Sequence, residues 1–309
     1  MVAITGAGGY LGRILTAQLE TQHWVDHIIA IDLSPVLATG RVISYRLDVR
    51  DGATLRAILA EHGVTHLIHA AFILVQPPEM SLAEMHSINV GGSKQVIRAA
   101  LDLKIPHLTF MSSVAVYGYH AGHADRVRED AKQQPNMIYG QHKVEVERYL
   151  HSQGEAYLKS HVAILRPPAI IGPKGKDSSH LRALTAQPVF VVANGGRART
   201  QAIHEDDAAS LVVKVIERSV TGIYNAAPDD NASWAEIGKI SKLPVLSAPR
   251  SALNFVTRFN TLVPALNGFT REVVDLFAES LVVDNSAARQ CTDWIPRYTT
   301  RETFTQFFK

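Results

Sequence analysis

Residues 2–12, Val2-Ala3-Ile4-Thr5-Gly6-Ala7-Gly8-Gly9-Tyr10-Leu11-Gly12, carry a short β-branched run into a cluster of glycines. A helical spacing of apolar residues (Leu11, Ile14, Leu15, Leu19) follows at once. Strand, tight turn and helix in that order form the setting in which a glycine trio cradles a dinucleotide. Gly6, Gly9 and Gly12 allow backbone angles or a close ligand approach that side chains forbid. The helix that opens at Tyr10 and Leu11 aims unpaired N–H groups and partial positive charge into the turn, which suits a pyrophosphate. Glycine-rich turns also merely reverse a chain. Here the N-terminal position, the flanks and a later acid favour the ligand reading. The spacing, Gly-x-x-Gly-x-x-Gly, departs from the commoner Gly-x-Gly-x-x-Gly.

The chain's 309 residues, 46% of them apolar, are enough for a large core in one big domain or two interleaved ones. A net charge of +2 offers no surplus of cations for nucleic acid as the main partner. The lone cysteine, Cys291, leaves no internal disulfide and no reliance on an oxidising compartment. No charged-then-apolar leader precedes the first strand, and Arg250, Arg258, Arg271, Glu272 and Asp275 interrupt the greasiest region. The expectation is a soluble cytoplasmic protein without a membrane partner.

Strands and helices alternate onward from the turn. His27–Leu33 reads as a second buried strand ending at Asp32, an acid about 20 residues past the turn and suited to the two ribose hydroxyls of an adenosine. Its charge opposes a 2′-phosphate, which favours NAD over NADP. The competing reading is a turn or cap aspartate before Ser34-Pro35. Val42–Leu47 makes a third strand, followed by Asp48, a candidate acceptor for the adenine amino group or an ordinary turn residue, with Val49 beside it. Asp51 is placed to cap the next helix. Val64–Ala71 is the fourth strand; the small Ala70 and Ala71 let the backbone approach the cofactor. His66 and His69 lie three apart on a strand and face opposite sides, so they do not share a metal ion, and no metal is expected. A helix over 81–103, a strand over His107–Ser113 and another over His161–Arg166 follow, with a further strand over Gly222–Ala226. The pattern is α/β: a Rossmann-type doubly wound parallel sheet with helices on both faces. Gly6, Asp32, Asp48, Ala70 and Ser113 fall on its ligand-binding edge.

The fifth strand runs into Ser112-Ser113, and downstream stands Tyr139-Gly140-Gln141-His142-Lys143 on a helical pattern. Tyr139 and Lys143 are one turn apart and face the same way. Proton transfer at an alcohol or ketone near neutral pH needs a phenol more acidic than usual, and an adjacent ammonium favours phenolate. Ser113 is placed to hold the substrate oxygen while charge develops there. A solvent-facing Tyr/Lys pair is the bland alternative. The three residues together, on the ligand edge, point to hydride-transfer chemistry. A non-catalytic dinucleotide sensor would have no need of both Tyr139 and Lys143.

With these pieces in place the chain resembles the extended short-chain dehydrogenase/reductase family, in particular its NAD-dependent epimerase/dehydratase branch. The resemblance rests on Thr5-Gly6-x-x-Gly9-x-x-Gly12, Asp32, Asp48, His69-Ala70-Ala71, Asn89-Val90-x-Gly92, Ser112-Ser113, Tyr139-x-x-x-Lys143, Arg166-Pro167-x-x-Ile170-Ile171-Gly172-Pro173, His204-x-x-Asp207 and the closing segments 284–289 and 294–296. It implies NAD held by Gly6, Gly9, Tyr10, Leu11, Gly12, Asp32, Asp48, Val49, Ala70, Ala71, Asn89, Tyr139, Lys143, Pro167 and Pro168. It implies a catalytic triad of Ser113, Tyr139 and Lys143, and a homodimer built on the helices around 81–103 and 136–151. Three departures stand out. Ala169 occupies the place of an asparagine that helps hold nucleotide diphosphates. Thr200-Gln201-Ala202-Ile203 replaces an Arg-Asp-aromatic segment. His142 replaces a serine, read as an outward-facing change.

The expected organisation is a dinucleotide-binding domain over 1–172, to which 205–227 returns, and a smaller, mainly helical substrate cap made of 173–204 and 228–309. Two substrate classes follow. Arg182, Arg197 and Arg199 suit a nucleotide diphosphate, and so a sugar epimerase or dehydratase with tightly held NAD. The missing asparagine and an oily cap (Phe255, Phe259, Leu262, Leu266, Phe269, Val273, Leu276, Phe277) suit a smaller or more apolar secondary alcohol or ketone, and this second class is preferred. The same aromatic spacing is also what plain core looks like.

Overall fold

The computed structural model describes residues 1–154, 160–177, 188–259 and 270–309 (side chains of 176 and 177 excepted). Its centre is a seven-stranded parallel sheet. The strands are β1 (Val2–Thr5), β2 (Ile28–Asp32), β3 (Val42–Arg46), β4 (His66–His69), β5 (His107–Met111), β6 (His161–Arg166) and β7 (Gly222–Asn225), in the order β7-β6-β5-β4-β1-β2-β3. β1 is buried along its whole length, as a parallel strand covered on both faces must be. On one face α1 (Tyr10–Glu20) meets a later helix, Glu205–Glu217, through Ile14, Leu15, Leu19, Leu211, Val212 and Val215. On the other, α2 (Gly52–Glu61) packs through Leu55 and Leu59 beside Val96, Ile97, Val146 and Leu150. Asp51 caps α2 by accepting from Thr54 N.

The two strands that lead into the site are shorter than their sequence patterns. β4 stops at His69 and β5 at Met111, so Ala70, Ala71, Ser112 and Ser113 stand beyond the ladder. The helix expected over 81–103 is a composite: α3 (Leu82–His86), a π-helical segment (Ser87–Gly92) and α4 (Ser93–Asp102). Gly92 passes so close to Val49 that a Cβ there would lie 2.6 Å from its Cγ2. Next come α5 (Ile138–His151) and α6, the Glu205–Glu217 helix. The C-terminal part supplies α7 (Trp234–Ser241), α8 (Arg250–Val256), α9 (Arg271–Ala278), α10 (Ser286–Thr292) and α11 (Thr300–Phe308).

Two late motifs are structural. His204 Nδ1 accepts from Asp206 N at the start of α6, and buried Asp207 accepts from the N–H groups of Arg297 and Tyr298, both at 2.9 Å. Trp294 is buried and donates to Ser210. No helix among the described residues is long and apolar enough to cross a membrane.

Candidate active site

The glycine turn is set by contact. Gly6 has φ +78°, and a Cβ on it would lie 2.5 Å from Ala71 N; a Cβ on Gly12 would lie 2.0 Å from the Gly6 carbonyl. Both positions therefore exclude a side chain, whatever else binds. Gly9 differs: it is exposed, with only the Gly6 carbonyl near, at 3.2 Å. It is the N-cap of α1, where no side chain caps the helix and no acid lies in the first turn. The N–H groups at Tyr10 and Leu11 are thus left for an anion. Asp32 braces the turn, accepting from Gly8 N at 3.0 Å and Ser34 N at 2.7 Å. Its carboxylate lies against the turn with lone pairs remaining for hydroxyl donors. An uncapped helix start, an open glycine and an acid at the tip of β2 fit a dinucleotide.

Beneath the turn, buried His69 bridges Thr5 Oγ1 (2.7 Å) and Ser93 Oγ (2.8 Å), so it braces β1 against α4. His66 faces elsewhere, its ring stacked on that of His107 at 4.3 Å. Tyr10 donates to buried Glu205 at the start of α6, a link absent from the motif reading.

Asp48 is engaged by its neighbour: Arg50 donates to it from N, Nε and Nη2, and this pairing holds its carboxyl below the usual range. Asn89 is fully buried, accepting from Ile73 N at 2.7 Å and donating to Ile73 O at 2.9 Å. In the structure it anchors the loop after Ala71. His142 corrects the outward-facing expectation. It is buried, its Nδ1 accepts from Asn89 Nδ2 at 3.3 Å, and its ring meets that of His86 at 5.1 Å. The π-helical segment brings Asn89 to the flank of α5 that carries residue 142.

Ser113, Tyr139 and Lys143 come together where β5 and α5 meet. Ser113 lies just beyond β5, its Oγ accepting from Ala115 N at 3.1 Å and donating to Pro167 O at 3.4 Å. Pro167 and Pro168 are buried behind it. Burial pushes the Tyr139 phenol above its ordinary value, while a hydrogen bond with Ser113 pulls it down. Lys143 is only 2% exposed. Its Nζ donates to Met111 O at 2.5 Å and lies 3.4 Å from the centre of the Phe72 ring, 5.5 Å from that of Tyr139. Burial drives the ammonium well below the usual lysine value, and the Glu147 carboxylate opposes that shift. For Tyr139 in this arrangement burial is the largest influence, and the bond with Ser113 opposes it. Phe72, set edge-on to Tyr139 at 89°, covers the pair. An aromatic next to two small residues on the ligand edge was the available sequence signal for it.

Beside the loop that precedes α5 lies a cavity of about 410 Å³ lined by Tyr119, His120, Asn136, Arg250, Arg271, Glu272, Asp275 and Glu279. Arg250 pairs with Asp275 at 2.6 Å and Glu279 at 2.5 Å. None of the oily-cap residues among those described lines it. Phe277 packs on Trp234 at 4.6 Å in the interior, and Phe255 and Phe259 form an exposed pair. Leu262, Leu266 and Phe269 lie outside the described residues, as does Arg182. Arg199 is bonded to Asn231, and Arg197 is exposed.

The model of the family described as "NAD dependent epimerase/dehydratase family" matches residues 2–227. The chain belongs to that family. It is accordingly an enzyme of an NAD-dependent family, with NAD as cofactor. An uncharacterized protein of Mycobacterium tuberculosis (strain H37Rv) is 26% identical over 321 aligned residues, covering 100% of this chain and 83% of that protein. The UDP-glucose 4-epimerase of Lacticaseibacillus casei is 24% identical, covering 96% and 92%. The structure of Thermus thermophilus UDP-glucose 4-epimerase in complex with NAD superposes with a TM-score of 0.76 at 18% identity, covering 99% of this chain and 97% of that one.

Proposed function

We propose that this family member transfers hydride between NAD and a secondary alcohol or ketone carbon, with Tyr139 as the acid/base. The observation that carries the reading is the meeting of Ser113, Tyr139 and Lys143 on the sheet edge that also holds the glycine turn. NAD supplies the hydride acceptor and, once reduced, the donor. Gly9, Tyr10 and Leu11 receive its pyrophosphate; Asp32 receives the adenosine ribose, with Asp48, Val49, Ala70 and Ala71 alongside. Pro167 and Pro168 close the nicotinamide end behind Ser113, and Asn89 keeps the loop after Ala71 in place. Ser113 and Tyr139 hold the substrate oxygen between them, and Tyr139 takes or gives its proton. For phenolate to form, the Lys143 ammonium turns from the Met111 carbonyl toward Tyr139.

The described lining of the cavity near Tyr119 and Asn136 is polar, which supports a hydroxyl-rich substrate and a second reading. In that reading a nucleotide-sugar epimerase or dehydratase oxidises and re-reduces its substrate without net cofactor turnover. Segment 1–172 with 205–227 forms the cofactor domain, and 173–204 with 228–309 the substrate cap. A cytoplasmic homodimer through α3–α5 completes the picture, supported by exposed Leu82 (48%) and Ile138 (42%).

The test is a panel of secondary alcohols and UDP-sugars offered to the NAD-loaded protein. NADH absorbance and sugar products are followed together. Accumulating NADH supports the dehydrogenase, and epimerised or dehydrated sugar without NADH the second reading. Failure to bind NAD together with no turnover of either class would contradict both.

A further inference from the structure

The catalytic helix carries a second acid that the chemistry above does not use. Glu147 lies one turn beyond Lys143 and two beyond Tyr139 on α5, so all three share a face. It is among the most buried groups in the molecule, and both its oxygens are saturated. Oε1 accepts from Ser112 Oγ at 2.5 Å and Arg166 Nε at 3.0 Å; Oε2 accepts from Arg166 Nη2 and Gln133 Nε2, both at 2.5 Å. Arg166 in turn donates to Tyr117 OH at 2.8 Å and Glu129 O at 2.9 Å, and Tyr117 donates to Asn225 Oδ1 at 2.8 Å.

These partners sit at meaningful places. Ser112 directly precedes Ser113 at the end of β5. Arg166 ends β6 and directly precedes Pro167, whose carbonyl accepts from Val114 N at 3.0 Å and from Ser113 Oγ. One carboxylate therefore ties together the strand end bearing Ser113, the strand end behind it and the helix bearing Tyr139 and Lys143. A buried ion pair is weak evidence of a stabilising role, because hydrophobic replacements are often as stable. Its placement points to a different use.

We propose that Glu147 is the positioning residue of this site: by clamping the ends of β5 and β6 to α5 it fixes the spacing of Ser113 and Tyr139. This rests on the reading of Tyr139 as acid/base. Among the described residues, the charged and titratable groups set against this part of α5 are His69 on β4, which Lys143 depresses, Tyr119, which raises Tyr139, and Arg166, which Glu147 holds and which in turn holds Tyr117. Glu147 favours the charged form of Lys143.

The experiment uses NAD-bound protein labelled with carbon-13 at tyrosine Cζ, titrated from roughly pH 6 to 10.5, a range around the ordinary phenol value. The Tyr139 resonance is assigned by its loss in Tyr139→Phe. In the wild type it ionises within that range. Glu147→Gln loosens the Ser113–Tyr139 spacing, and with it the hydrogen bond that lowers the phenol, so its midpoint moves up by about one unit or more, a tenfold loss of phenolate at a given pH. Glu147→Asp, which keeps the ion pair with Arg166, recovers most of that shift. A Glu147 that only stabilises the fold would lower Tm and leave the midpoint in place; that result overturns the proposal. If Tyr139 stays un-ionised even in the wild type, the acid/base reading falls and takes this one with it. Should Glu147→Gln fail to fold, Ser112→Ala carries the test. It keeps the ion pair, and an upward shift of the same sign but smaller supports the proposal, whereas an unmoved midpoint refutes it.

Discussion

The glycine turn and the catalytic helix sit on the same edge of the sheet but are held there in opposite ways. The turn is held by short-range contact: Gly6 and Gly12 leave no room for a single carbon, and Asp32 ties the turn to the tip of β2. Helix α5 is held by buried charge drawn from three distant segments, centred on Glu147 and Arg166. Steric fit shows in a local sequence pattern. A buried polar network does not, because its members are spread over residues 112 to 225.

If that contrast is right, the two regions fail differently. The largest loss is expected from Arg166→Met, which leaves Glu147 buried without its partner and costs about 3–5 kcal/mol. Urea unfolding measures it, and a loss under about 1 kcal/mol, the scale of an exposed pair, would remove the distinction. Gly12→Ala forces a methyl against the Gly6 carbonyl, an overpacking cost of about 1–3 kcal/mol, seen as a lowered Tm with NAD affinity falling in parallel. An unchanged Tm would show that the turn yields.

Acid should act first on the turn's support. Burial holds His69 at about 3 and His66 at about 4, below the ordinary value of about 6.5. Between those limits the unfolded chain binds more protons than the folded one. Stability fully present above about pH 6.5 is therefore lost as the pH falls, by up to about 1.4 kcal/mol per unit for His69. Unfolding midpoints that match at pH 7.5 and 5, values chosen to bracket roughly the ordinary histidine value, would contradict this. The smallest effect is one of selectivity. Asp32→Ala should weaken NAD about tenfold, the worth of one charge-assisted hydrogen bond, while sparing NADP. Equal losses in titration calorimetry would show that Asp32 only braces Gly8.

The fold was legible because its evidence is periodic. Buried runs such as Ile28–Asp32 and His161–Arg166, alternating with amphipathic helices, leave little choice of architecture. The site was legible as far as spacing carries: Tyr139 and Lys143 had to share a helix face, and Ser113 had to stand at a strand end. What spacing omits is who else competes for those groups. Nothing in the pattern around 143 announces that its ammonium rests on Met111 O under Phe72. His142 was misjudged for a related reason. The helix facing it changes from α to π at Ser87–Gly92, and the wider turn brings Asn89 against it. An acid four residues past Lys143, on the same helix face as Lys143 and Tyr139, was the clue to Glu147. A lone arginine in the apolar strand His161–Arg166 was the clue to its partner.

The most direct measurement is Tyr139→Phe assayed beside the wild type with whichever substrate the panel identifies. NAD affinity should stay within about twofold, while turnover falls by about 10² to 10⁴, the usual worth of a positioned acid/base. Turnover that persists at the wild-type rate would mean that the proton travels by another route, and Tyr139 would lose its role.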